Sequence, residues 1–340
     1  MSLLSRYSKI IFILASTLMV ACKKDEGPAQ PTNESANYLV STFAGSGQGG
    51  LFDALGTSAR FTGPTAITSD AQNNIYVVDA GNFAIRKITS AGMVTTLAGG
   101  QQGYANGTGP AAQFYNPIGI TADASGNIYV AEETRIRKIT AAGVVTSLAG
   151  NTTPGYVDGT GTAALFSAIR SITIDGQGNI YVLDFELPAC RIRVISPVGN
   201  VTTFMTVSLF STAIAMNAQG NLYLVESGIL DYNIQQITPA KVVTRISNTP
   251  QPIGITISQG TIFLTGYKTD LSNGNSYLGV YRINVNNPFT LIAGETRVGY
   301  LDGNGNTAQF ATLAGITADS NGNLYIADKD NNRIRKVTRK

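Results

Sequence analysis

A twelve-residue motif recurs four times and carries many of the side chains in this sequence that could do chemistry. It reads GLFDALGTSARF at 50–61, GYANGTGPAAQF at 103–114, GYVDGTGTAALF at 155–166 and GYLDGNGNTAQF at 299–310. Tyr104, Tyr156 and Tyr300, each two residues before Asn106, Asp158 or Asp302, give an aromatic-plus-oxygen pattern able to stack on sugars or hold a peptide. The same repetition is open to an architectural reading, in which Phe61, Phe114, Phe166 and Phe310 plug the core and the Asp-Gly pairs turn the chain. The aspartates raise calcium as a ligand. Yet Asp-Gly-x-Gly lacks the clustered acids and the bidentate glutamate of a loop-type calcium site. A single channel ion would need several carboxylate or amide oxygens converging from separate parts of the chain. No cofactor and no metal site is therefore expected.

The absences narrow the chemistry further. The 340 residues include no histidine and no tryptophan, so imidazole bases, Ser-His-Asp triads, Cys-His dyads and HExxH zinc sites are all excluded. No catalytic constellation is recognisable, and the sequence leaves open whether the protein is an enzyme. Cys190 has no evident disulfide partner once Cys22 is assigned as below, and its strand-like surroundings read as those of a small buried hydrophobe. Without Arg6 and Lys9 the chain holds 22 basic and 21 acidic residues, and the densest basic cluster is confined to Lys329–Lys340. Nucleic acid is not an expected partner.

The first residues, MSLLSRYSKIIFILASTLMVAC, join a basic start (Arg6, Lys9) to an apolar stretch from Ile10 to Ala21. That stretch is too short for a mature membrane span and suits a signal-peptide core. Leu18-Met19-Val20-Ala21 leading into Cys22 resembles a bacterial lipobox, which implies cleavage after residue 21 and lipidation of Cys22. Residues 22–37 then read as the lipidated cysteine and a flexible tether, and the Lys-Lys-Asp-Glu at its start resembles that of Bacteroidota surface lipoproteins. The expected location is the outer membrane or cell surface, held through the lipid.

The elements that must position the motif emerge from a longer repeat. Units beginning at Gly63, Asn116, Arg170, Ala213, Pro252 and Ala314 align on their turn positions Asn74, Asn127, Asn179, Asn221, Thr261 and Asn323, at spacings of 53, 52, 42, 40 and 62 residues. Each unit parses into four β-rich strands, a to d, with an Asp-x-x-Gly-Asn turn between a and b. That is the length of a propeller blade. The sixth unit lacks strand d, and Leu39–Gly45 matches the missing sequence. The expected fold is all-β: a six-bladed propeller over 38–340 with four-stranded antiparallel blades, closed by an N-terminal strand that completes the C-terminal blade.

Strings such as NNIYVVDAGNFAIRKI and NGNLYIADKDNNRIRKV resemble NHL repeats, and the domain is similar to NHL/TolB-like propellers of bacterial lipoproteins. The resemblance implies an acid after strand b and an arginine in strand c, here Asp79/Arg86, Glu132/Arg137, Asp184/Arg193 and Asp328/Arg335, read as structural ion pairs. Unit four has Glu226 with Gln235, and unit five has Gly266 and Tyr281, so the pattern lapses in two adjacent units. Unit five also carries a long polar insertion, Gly266–Tyr281, as a place for acquired binding. The expected function is an envelope-anchored, monomeric scaffold binding a protein, peptide or glycan. Two alternatives stand beside it, a calcium-dependent lactonase-like enzyme and a purely structural envelope protein. Similar lyases rely on histidines that this chain lacks.

Overall fold

The computed structural model describes residues 34–228, 232–269, 274–284 and 287–340. The leader, Cys22 and the tether up to residue 33 lie outside the described residues, as does the tip of the unit-five insertion at 270–273. Among the described residues, six antiparallel sheets form, and each is built from strands adjacent in sequence except the last. Their innermost strands, a, are Pro64–Ser69, Gly119–Ala122, Ile169–Ile174, Ser211–Met216, Gln251–Ser258 and Leu313–Ala318. In blade 1 the sheet continues outward through b (Ile75–Asp79), c (Ala84–Ile88) and d (Val94–Gly99).

Closure occurs at the predicted place. Tyr38–Ala44 pairs antiparallel with Arg333–Arg339, in the register Val40 to Val337 and Thr42 to Arg335, and supplies strand d of blade 6. The folded region starts slightly earlier than the sequence suggests. Glu34–Asn37 forms a 3-10 turn with Ser35 buried, and Glu34 meets Arg282 of blade 5 at 2.7 Å. These four residues, expected in the tether, are part of the propeller.

The a–b turn shows why its residues recur. Asp123 Oδ1 accepts the N–H groups of Ser125 and Asn127, while Oδ2 accepts Asn127 Nδ2 and the Tyr129 hydroxyl. One carboxylate thus fixes the turn and ties it to strand b. Asp70, Asp175 and Asp319 repeat the arrangement, and Asn217 takes the position in blade 4. Blade 5 instead uses a two-residue Gln259-Gly260 hairpin with both φ angles positive, the twist that matches paired strands.

Six apolar clusters hold the ring, one at each blade junction. Each has the isoleucine at one aligned position of its second blade's inner strand packed into it: Ile67, Ile120, Ile172, Ile214, Ile255 and Ile316. The motif phenylalanines complete four junctions, with Phe61, Phe114, Phe166 and Phe310 at most 1% exposed. Cys190 is fully buried between blades 3 and 4, where burial pushes its thiol pKa up.

Candidate functional site

The twelve-residue motif does not cross the mouth of the channel. It runs down the outer edge of the blade it leads into. Its central dipeptide adds a fifth strand to blades 2, 3 and 6, at Gly107–Thr108, Gly159–Thr160 and Gly303–Asn304. Three blades therefore have five strands rather than four. In blade 1 a single bridge, Leu55 to Met93, takes the place of that strand.

What pins the motif is a buried guanidinium. Arg86, in strand c, pairs with Asp79 of strand b at 2.8 Å and with Asp53 of the motif at 2.7 Å. The same two terminal nitrogens donate to the carbonyls of Arg60 and Phe52. Asp53 in turn accepts the N–H of Thr96 in strand d. Arg193 with Asp184 and Asp158, and Arg335 with Asp328 and Asp302, reproduce this arrangement. In blade 2 the motif residue is Asn106, whose Oδ1 accepts Arg137 Nη2 at 2.9 Å, and Glu132 meets both Arg137 and Arg135. All four guanidinium carbons lie between 4.9 and 5.4 Å from the ring centre of the motif phenylalanine. The four acid–arginine pairs lie within single blades, and each is a staple for the loop.

The charges are unevenly exposed. In blades 1, 3 and 6 two carboxylates share one guanidinium, the inner one buried and the outer one 39–49% exposed on its side chain. Burial pushes the Asp184 carboxyl up to about 6 against the pull of Arg193 and of two backbone N–H groups. Asp79, Glu132 and Asp328 are raised for the same reason. At Asp158 burial is outweighed by the hydrogen bonds from Arg193 and Thr203, and its carboxyl sits below the usual range.

The three motif tyrosines stack on a second arginine at the start of strand c. Arg135, Arg191 and Arg333 lie 4.0, 3.7 and 3.7 Å from the ring centres of Tyr104, Tyr156 and Tyr300. Where blade 1 has Leu51 instead of tyrosine, the strand c position is Ala84. The tyrosine hydroxyls of Tyr156 and Tyr300 bond to the Asp184 carbonyl and to Thr42. Tyr104, Tyr156, Tyr300, Asn106, Asp158 and Asp302 are thus brought together with structural arginines, away from the channel lining.

Blades 4 and 5 explain the lapse of the pattern. Their inner strands follow connections of only 208–210 and 249–250, so no loop reaches their outer edges. An arginine there would find no loop carbonyls. Gln235 fills the position in blade 4 and donates to Glu226 at 2.7 Å. In blade 5 Tyr281 fills it, 1% exposed, its hydroxyl donating to the Tyr277 carbonyl.

The concave site is the channel itself. A cavity of about 210 Å³ opens at the N-terminal ends of the six inner strands. Its walls are the six isoleucines and a ring of small residues, Ala66, Gly119, Ser171, Ala213, Gly254 and Gly315. Small residues are required because neighbouring inner strands nearly touch. A Cβ on Gly315 would lie 3.0 Å from Ala66 Cα and from the Thr65 carbonyl. Above the small ring come Thr65, Ile118, Arg170, Thr212, Ile253 and Ala314, among which Arg170 alone is charged. Sequence reasoning missed this residue. The signal was available, because Arg170 is the only charge in its column when the six units are aligned.

Residues 310–337, covering strands a to c of blade 6, match the family model of the NHL repeat. The match lies within blade 6. No curated protein matches the chain in sequence. Among solved structures, an auxiliary nutrient binding protein from Bacteroides ovatus is similar over 89% of this chain and 76% of its own, with 15% identity and a TM-score of 0.65. A gluconolactonase from Xanthomonas campestris is similar over 89% and 91%, with 13% identity and a TM-score of 0.59. Virginiamycin B lyase from Staphylococcus aureus is similar over 88% and 99%, with 17% identity and a TM-score of 0.55. At these identities the likeness establishes the propeller fold alone.

The donors of this cavity bear on the channel-calcium alternative. Calcium takes six to eight oxygens, with carboxylates prominent among them. The lining of the propeller's cavity holds no aspartate, glutamate or asparagine, and a fixed positive charge stands at its rim. Among the described residues no group of three or more potential metal-ligating side chains occurs. The side chains present do not fit a channel calcium.

Proposed function

We propose that this protein is an envelope-anchored binding scaffold, tethered through lipidated Cys22 at the outer membrane or cell surface, that presents the channel mouth of its propeller to a peptide, protein or glycan. One observation carries the reading. Among the described residues the channel lining is apolar and small, with a single cation, no carboxylate, and Ser and Thr hydroxyls that have no base in the lining beside them. Such a lining can hold a ligand and has little with which to transform one. The likeness to nutrient binding proteins supports the same reading, as does the near-balanced charge of the chain.

The test is a thermal-shift screen of the full chain in detergent against peptides and glycans, alongside Thr212→Glu, which places an acid at the channel rim. A ligand at 100 times its Kd adds about 2.7 kcal/mol of stability. A shift present in the wild type and lost in Thr212→Glu supports the reading. A flat panel overturns it for these classes. Incorporation of a labelled fatty acid into the wild type but not Cys22→Ala tests the anchor.

A further inference from the structure

We propose that Arg170 makes the channel mouth a receptor for a carboxylate carried on an apolar body, the chemistry of a peptide C-terminus or a small organic acid. The inference rests on the channel-mouth reading above and gives it a ligand class.

Arg170 lies 3.5 Å from the ring centre of Phe185, and among the described residues no carboxylate comes within ion-pair distance of it. Arg135 and Arg191 also lie over aromatic rings, yet Arg135 sits 3.3 Å from Glu132 and Arg191 sits 3.8 Å from Glu186. Arg333, stacked on Tyr300, likewise has no carboxylate ion pair among the described residues, but it lies outside the channel lining and is held by the Asn331 and Ser46 carbonyls at 3.1 and 2.8 Å, so Arg170 is the stacked arginine left open at the mouth. Its Nη1 reaches only the Leu209 and Ser211 carbonyls, at 3.4 and 3.3 Å, the long end of hydrogen bonding. Phe185 backs the guanidinium, and the side chain remains exposed.

A planar fork held against an aromatic ring at the rim of an apolar cavity is pre-organised for a bidentate carboxylate. A lysine would lack the fork, and a freely rotating arginine would lose more entropy on binding. The body of the ligand would descend between Ile118, Ile214 and Ile253. In the same lining the hydroxyl oxygen of Thr65 is buried with no hydrogen-bond partner. About 210 Å³ admits one side chain or one ring.

The experiment compares acids with their own amides by calorimetry on the full chain in detergent. N-acetyl-leucine stands for a peptide C-terminus and phenylacetate for a small organic acid, each against its amide. The expected result is at least tenfold tighter binding of one acid over its amide. Arg170→Gln should abolish that ratio and leave the urea midpoint unchanged, while Arg170→Lys should retain only part of it. Which acid shows the preference identifies the source. Equal binding of acid and amide, or a ratio indifferent to Arg170→Gln, overturns this inference and leaves the channel-mouth reading standing. No binding of any probe at millimolar concentration overturns this inference. The channel-mouth reading falls with it only if the peptide and glycan panel is also flat.

Discussion

Replacing Arg193 by methionine isolates the loop staple, because the apolar stem of the side chain is kept while its charge and donors are lost. In the wild type the guanidinium holds Asp184 and Asp158 and donates to the carbonyls of Leu165 and Val157. Without it, Asp184 is a fully buried carboxylate left with two backbone N–H donors, from Ser167 and Ala168. It would take up a proton instead. With a native pKa of about 6, that protonation at pH 7 costs about 1 kcal/mol, since one pKa unit is worth about 1.4 kcal/mol. The two lost hydrogen bonds from a charged donor contribute about 1.5 kcal/mol each, and the half-exposed pair with Asp158 adds little. The expected destabilisation is about 4 kcal/mol at pH 7, inside the range of about 3–5 kcal/mol for breaking a buried pair. At pH 5 the native Asp184 is already protonated, so the cost should fall to about 3 kcal/mol. Urea unfolding at both pH values measures this, and limited proteolysis should find residues 155–166 cut faster. A cost below about 1 kcal/mol, or one larger at pH 5 than at pH 7, would refute the reasoning.

Three further outcomes follow from the same geometry. Asp184 gives the protein a pH-dependent term of definite sign: its raised pKa means stability is gained as pH falls from 7 towards 4 and lost as pH rises through about 6, and Asp184→Asn should flatten that slope in urea melts. Parallel wild-type and variant profiles would count against it. Gln235→Arg should destabilise blade 4 by about 1–3 kcal/mol in thermal melts, because Glu226 can receive one edge of the guanidinium and no loop supplies the other acceptors. Gly315→Val should cost about 1–3 kcal/mol by forcing apart the inner strands of blades 6 and 1, and an unchanged melting temperature would show that the ring gives way more easily than the 3.0 Å contacts allow.

Much of this architecture is written in local pattern. The Asp-x-x-Gly-Asn turns, the β-branched strands and the Leu39–Gly45 match to a missing strand are short-range signals, and each corresponds to hydrogen bonds that the structure forms locally or across one predicted pairing. The role of the twelve-residue motif was harder to read. Half of the acceptors of its arginine partners are backbone carbonyls, such as those of Phe52 and Arg60, and a carbonyl leaves no mark in sequence. The spacings did hold part of the answer. The two short intervals, 42 and 40 residues, are those that enter blades 4 and 5, where the motif and the arginine vanish together. Arg170 stayed hidden for a different reason: its meaning depends on which residues of the inner strands line the channel, and that is fixed only by closing the ring.

The loss of the motif and the placement of Arg170 are connected by chain geometry. Where a motif is present, the chain leaves strand d, descends the outer edge of the next blade and returns past a phenylalanine before entering the inner strand. After blade 3 it does none of this. Residues 208–210 pass directly from strand d to the inner strand of blade 4. That short path places the Leu209 and Ser211 carbonyls beside Arg170 and leaves Phe185 free to lie under its guanidinium. The junction between blades 3 and 4 also forms its core without a motif phenylalanine, using Phe185, Phe204 and Met205 at its edge. Shortening one connection thus removes an arginine from the blade that follows and steadies another at the channel rim. The irregular side of the ring and the charged side of its mouth are the same side, and a ligand that reads one will meet the other.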